Sequence, residues 1–158
     1  KLINSYTNHL AVQRGTELHA FAKRCNDLHI KLPKTKQTLN MFVNDILGFG
    51  MRSEQPLFYS RNAFGTADAI SFKNDTLKIF DLKTGTTPAS MRQLELYAAL
   101  FCLEHNIPPT EIGINLRIYQ SNDITEKTAD GEVIKELVNL YREYDELIES
   151  LRNGKNDI

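Results

Sequence analysis

The order of apolar and polar positions divides the chain into two helical stretches, a group of strands, a third helix, another strand and a last helix. From 16 to about 30, apolar residues recur at helical spacing, with Gly15 just before them and Pro33 beyond their end. A short second helix is expected from Thr38, the predicted N-cap, through Met41, Phe42, Val43 and Ile46 to Leu47, with Gly48 as its stop. The runs 53–59, 64–72 and 77–83 have strand character. Pro88 opens a helix carrying Met91, Leu94, Leu96, Ala98, Leu100, Phe101 and Leu103, apolar on so many sides that it must be largely buried. Pro108 and Pro109 close it, and 112–119 reads as a strand that joins the central sheet. The last helix carries Leu137, Leu140, Tyr144, Leu147 and Leu151, spaced alternately by three and four. For this heptad-like stripe, packing on the sheet competes with self-association, and packing is the expected outcome.

The pattern predicts a mixed α/β fold in a single domain spanning 1–158. A chain of 158 residues buries roughly two-thirds of its unfolded surface and needs no disulfide or metal staple. Cys25 and Cys102 have neither zinc-ligand nor iron–sulfur spacing and read as buried, reduced thiols of a cytoplasmic protein. No leader or membrane-spanning run is visible. A first residue of Lys rather than Met points to a fragment of a longer chain or to a processed form. The net charge of −1 gives no general attraction for a polyanion, so any nucleic-acid contact must depend on local cations.

Candidate chemistry enters through the strands around Asn74-Asp75, a two-residue hairpin turn. Counting outwards pairs Lys73 with Thr76, Phe72 with Leu77, Ile70 with Ile79, Asp68 with Asp81 and Thr66 with Lys83. Asp81 and Lys83 then share a face, roughly 6 to 7 Å apart along the strand, and Asp68 joins them. Ile70, Phe72, Leu77 and Ile79 continue that face as an apolar floor. Paired like charges are destabilising unless a cation sits between them. Hard oxygen ligands suit Mg²⁺ or Mn²⁺, and phosphodiester hydrolysis uses such an ion. Lys83 is placed to orient or deprotonate the attacking water. Alone, the same spacing also fits two strand-end aspartates and an ordinary ion pair.

Further motifs favour the metal. Arg14-Gly-Thr-Glu-Leu-His19, Gly65-Thr-Ala-Asp68, Asp81-Leu-Lys83-Thr-Gly85 and Gln93-Leu-Glu-Leu-Tyr97 follow one another in an order that resembles the PD-(D/E)XK nuclease superfamily, in its RecB-like and lambda-exonuclease-like branch. The resemblance covers most of the chain. It implies a restriction-endonuclease-like core, a central mixed β-sheet flanked by helices, and a metal-dependent deoxyribonuclease, with DNA as partner and a role in recombination, repair or phage DNA metabolism. Carried over, Asp68, Asp81 and His19 hold the metal, Lys83 assists the water, and Glu54 is the acidic residue before the hairpin. Gln93 and Tyr97, four apart on one helix face, position the lysine or the strand. Arg14, Thr84 and Arg92 are the expected DNA contacts. The four-cysteine cluster of some relatives is absent, and so is any nucleotide-binding loop, so ATP-driven unwinding would fall to a helicase or recombinase partner. Exonuclease action is the leading expectation. A structure- or sequence-selective endonuclease on the same scaffold, and an inactive DNA-binding or assembly module, are the alternatives.

Overall fold

The computed structural model describes residues 2–156, so the expected domain limits at 1 and 158 lie outside the described residues. Strands β1 (Arg52–Ser60), β2 (Ala63–Lys73), β3 (Thr76–Leu82), β4 (Gly113–Gln120) and β5 (Asp123–Thr128) form one sheet in sequence order. The β3–β4 pair is parallel and the other pairs are antiparallel. A parallel pair needs a crossover, which α3 (Arg92–His105) supplies. Leu94, Ala98 and Phe101 of α3 pack with Ile79, Ile114, Leu116 and Ile118, and α4 (Gly131–Asn156) adds Ile134, Leu137 and Val138 to the same core. On the other face, Ala22 and Cys25 of α1 (Leu2–Asp27) and Phe42, Val43 and Ile46 of α2 (Thr38–Gly48) pack with Ala69, Phe80, Leu82 and Tyr119. The fold is thus mixed α/β, a five-stranded mixed sheet flanked by helices.

Four elements depart from the sequence reading. Helix α1 begins at Leu2, and Gly15 lies buried in its interior rather than before it. Residues 2–14 are exposed, so they carry no buried stripe that periodicity would reveal. Thr38 is not the cap of α2. Its N–H donates to Asn122 Oδ1 at 3.1 Å and its hydroxyl accepts from Asn122 N at 2.7 Å, so the cap comes from the β4–β5 turn. Strand β5 was not anticipated, because its side chains are almost all exposed and polar and show no alternation. The stripe on α4 is only partly packed on the sheet. Leu137 is buried, whereas Leu140, Tyr144, Leu147 and Leu151 are exposed. Here the helix is held instead by its carboxylates: Asp145 accepts from Ser60 and Asn62, and Glu149 accepts from Arg61.

The β2–β3 hairpin has the predicted register from Lys73↔Thr76 to Ala69↔Phe80, around a turn whose positive φ values at Asn74 and Asp75 (51° and 56°) match a type I′ turn. The next rungs, Asp68 with Asp81 and Thr66 with Lys83, do not form: pairing stops at Ala69. The cause is a change of face. Ser53 bonds Asn26 of α1 and its partner Ala69 lies in the α1 core, and yet Leu57 and Ala67 lie in the α3 core. Ser53 and Leu57, four apart, and Ala69 and Ala67, two apart, would share a face under unbroken alternation. The phase slips at Glu54, whose backbone is left-handed (φ 48°), opposite Asp68. Beyond this point β1 and β2 continue as a two-stranded overhang.

Candidate functional site

The polar cluster lies where β3 ends and the crossover begins, the carboxyl edge at which parallel strands commonly present ligand sites. Lys83 N–H still donates to Tyr119 O at 2.9 Å, which fixes the backbone one step past β3. Lys83 Nζ stands 3.0 Å from Asp81 Oδ2. Asp81 is 4% exposed, and its Oδ2 accepts no well-aligned hydrogen bond despite that proximity. Asp68, released from the strand ladder by the slip, accepts from Leu82 N–H at 2.8 Å. The donor that would extend the hairpin serves the carboxylate instead.

His19 reaches this edge from α1. Nδ1 donates to Gly15 O at 2.8 Å and Nε2 donates to Leu82 O at 2.7 Å, with Asp68 Oδ2 3.3 Å from Nε2. Carbonyl oxygens only accept, so both ring nitrogens carry protons and the ring is an imidazolium. The Asp68 carboxylate raises the His19 pKa to about 9, over the opposing effect of burial. Burial would lift Asp68, but hydrogen bonds from His19 and Leu82 hold it below the usual range. Asp81 moves the other way: burial, then the Asp68 charge, push it to about 7 against the pull of Lys83. Two neighbouring carboxylates therefore have opposite proton affinities, the pattern that marks acid–base and metal sites.

A relay continues from Lys83 to α3. Nζ donates to Gln93 Oε1 at 2.9 Å, and Gln93 Nε2 donates to Tyr97 Oη at 3.1 Å. Gly65 is explained by this relay, because a Cβ there would lie 2.8 Å from the Tyr97 ring. The connecting loop is anchored by Gln120, which sequence reading missed. Its Nε2 donates to Gly85 O and Thr87 O, both at 2.8 Å, and its Oε1 accepts from Ala89 N–H at 3.2 Å. Only the position of Gln120 at the end of β4 hinted at such a role.

Arg14 and Thr84 share a cavity of about 430 Å³ with Gly15, Lys83 and Ser121 beside the cluster. The helix passes close because Gly15 has no side chain: a Cβ would lie 2.7 Å from Thr84 Oγ1. Arg92 is exposed at the start of α3, its N–H bonded to Ser90 Oγ. Glu54 stands apart. Although opposite Asp68 in register, it lines a shallow depression with Lys23 and Asp27 of α1 and with Leu28, and it bonds no member of the cluster.

Among the described residues, no three His, Cys, Asp or Glu side chains converge into a metal-binding group. Mg²⁺ needs no such cage, since one or two carboxylates plus water and substrate oxygens suffice. The buried, unbonded Asp81 Oδ2 beside Asp68 fits a hard cation. His19 fits less well, because Nε2 must first lose its proton and its bond to Leu82 O. The imidazolium itself marks where positive charge is favoured, between Asp68 Oδ2 and Leu82 O. No helix among the described residues is long and apolar enough to cross a membrane. No family model, curated protein or solved structure matches the chain.

Proposed function

We propose that this chain is a divalent-metal-dependent deoxyribonuclease with a restriction-endonuclease-like core, acting as an exonuclease in recombination, repair or phage DNA metabolism. The observation that carries the reading is the buried Asp81 carboxylate, beside Asp68, whose Oδ2 has the Lys83 ammonium at 3.0 Å but no well-aligned donor. A stability argument alone does not account for it, since an ionised, under-bonded carboxylate in the interior is costly.

In this reading Asp68 and Asp81 hold Mg²⁺ or Mn²⁺, which when bound would polarise the phosphoryl group and lower the pKa of water. Lys83 Nζ, paired with Asp81 and bonded to Gln93, keeps donor capacity for the attacking water or a phosphate oxygen. Gln93 and Tyr97 keep that ammonium from swinging to solvent. In the metal-free protein His19 carries positive charge beside Asp68. Arg14 and Thr84 meet backbone phosphates in the adjoining cavity, and Arg92 meets them from the exposed start of α3. Any unwinding is left to a helicase or recombinase partner.

The test is incubation with linear and closed-circular DNA in Mg²⁺, Mn²⁺ or EDTA. Progressive loss of linear DNA that stops in EDTA and in Asp81→Asn supports the exonuclease. Cleavage of the circle shifts the reading to an endonuclease. Absence of cleavage with either ion rejects both and leaves a binding module.

A further inference from the structure

The overhang beyond the Glu54–Asp68 slip carries an aromatic pair that the proposed chemistry leaves unused. Phe58 and Phe64 are direct cross-strand partners, 54% and 66% exposed. One step further along, Leu57 and Gly65 are also partners, and they face α3, Leu57 in its core and Gly65 against Tyr97. Alternation therefore turns Phe58 and Phe64 to the opposite face, the side from which α1 brings His19. Beyond Ala69, β2 has lost its β3 neighbour, so the pair stands on a two-stranded ledge stiffened from behind by the bonds of α4 to Ser60, Arg61 and Asn62.

Single exposed phenylalanines are ordinary. Two set directly across a rigid hairpin, leading along β2 to Asp68, form an aromatic surface continuous with the site. Asp68 lies four positions beyond Phe64, about 13 Å of strand, a reach of a few nucleotides. The electrostatics point the same way. A net charge of −1 supplies little of the usual attraction for a polyanion, so base stacking, which needs no charge, adds to what local cations such as Arg14 contribute.

We infer that Phe58 and Phe64 form a stacking platform for the bases of a single DNA strand whose backbone runs on to Asp68 and Asp81. The inference rests on the nuclease reading and narrows its substrate to ends with unpaired bases. Exposed faces of the two rings take neighbouring bases without regard to their identity, because every base has a π-face.

The experiment compares the full chain with F58A/F64A and F58W/F64W, in EDTA, on oligothymidine and on an abasic strand with the same number of phosphates. Wild type is expected to bind oligothymidine at least about tenfold more tightly than the abasic strand. F58A/F64A should lose that preference while binding the abasic strand as wild type does, and F58W/F64W should keep it. Equal preference in wild type and F58A/F64A overturns the platform. A change of oligomeric state in F58A/F64A with the preference intact also overturns it and makes the ledge a contact between copies. Cleavage of linear DNA by wild type in Mg²⁺ or Mn²⁺ separates the two ideas. If wild type cuts but the preference survives F58A/F64A, only the platform fails; if it neither binds nor cuts, the nuclease reading falls with it.

Discussion

Lys83 Nζ lies 2.9 Å from Gln93 Oε1, so the last residue anchored to the central strand is tied to the first turn of the crossover helix. The same amide holds the Tyr97 hydroxyl, and the three side chains act as one unit. Gln93→Ala should therefore lower metal-dependent cleavage by about 10- to 100-fold, the scale on which loss of positioning is felt. Melting temperature should stay near wild type, because Gln93 is exposed. Single-turnover cleavage with a parallel thermal melt checks both.

Gly65→Ala tests the other end of the relay. The added methyl meets a rigid ring at 2.8 Å, and Tyr97 must move or the strands must part. We expect a loss of about 1 to 3 kcal/mol in stability, with a fall in cleavage larger than that of Tyr97→Phe. Urea unfolding and cleavage rates on the two variants decide it.

The metal-free protein should lose stability steadily as pH rises from about 4 to about 9. Asp81 has a folded pKa raised from 3.8 to about 7, so ionising it as pH climbs through that window disfavours the folded state. His19 is raised from 6.5 to about 9, so its contribution is complete below 6.5 and is lost as pH passes 9. Asp68, shifted down, adds stability above 3.8 that is lost only in stronger acid. Thermal melts in EDTA should show Asp81→Asn abolishing the lower window. Mg²⁺ or Mn²⁺ should raise the melting temperature more at pH 8 than at pH 5.5, because the ion competes with protons for Asp81. Equal stabilisation at both values would count against a metal on this carboxylate.

Glu54→Gly should stabilise the protein by about 1 kcal/mol, because a left-handed backbone at φ 48° costs a side chain that glycine does not have. Cleavage should hardly change, since Glu54 bonds no member of the cluster. A large loss of activity with the fold intact would return Glu54 to the catalytic role expected from its place in the sequence.

Helix α4 offers a contrast in burial. Ile134, fully buried, should cost about 2 to 5 kcal/mol on truncation to Ala, whereas Leu147, 54% exposed, should cost under about 0.5. Chemical denaturation of Ile134→Ala and Leu147→Ala measures the difference.

The strands around the cluster were legible because Asn74-Asp75 sets the register from a single turn, and every rung as far as Ala69 follows from it. The residue types of the cluster were legible for the same reason. The slip at Glu54 was not, since a left-handed residue inside a strand leaves no mark on the hydrophobic pattern. It decides that Asp68 meets Leu82 and His19 rather than standing on a ladder rung. Helix α4 misled in a different way: its spacing is regular along its length, but only its first turns are buried, and a pattern does not state how far its partner extends. Long-range caps such as Asn122 on Thr38 are invisible to local reading because the donor and acceptor lie 84 positions apart.

Leu82 gives the cluster its amide hydrogen and its carbonyl oxygen, while its side chain is buried among Phe42, Phe80 and Tyr119. Those two contacts belong to the main chain, so every residue except proline can supply them. Position 82 is thus free to drift with the packing of the core while the polar edge keeps its wiring. At that position, evolutionary change in the interior is decoupled from change in the chemistry.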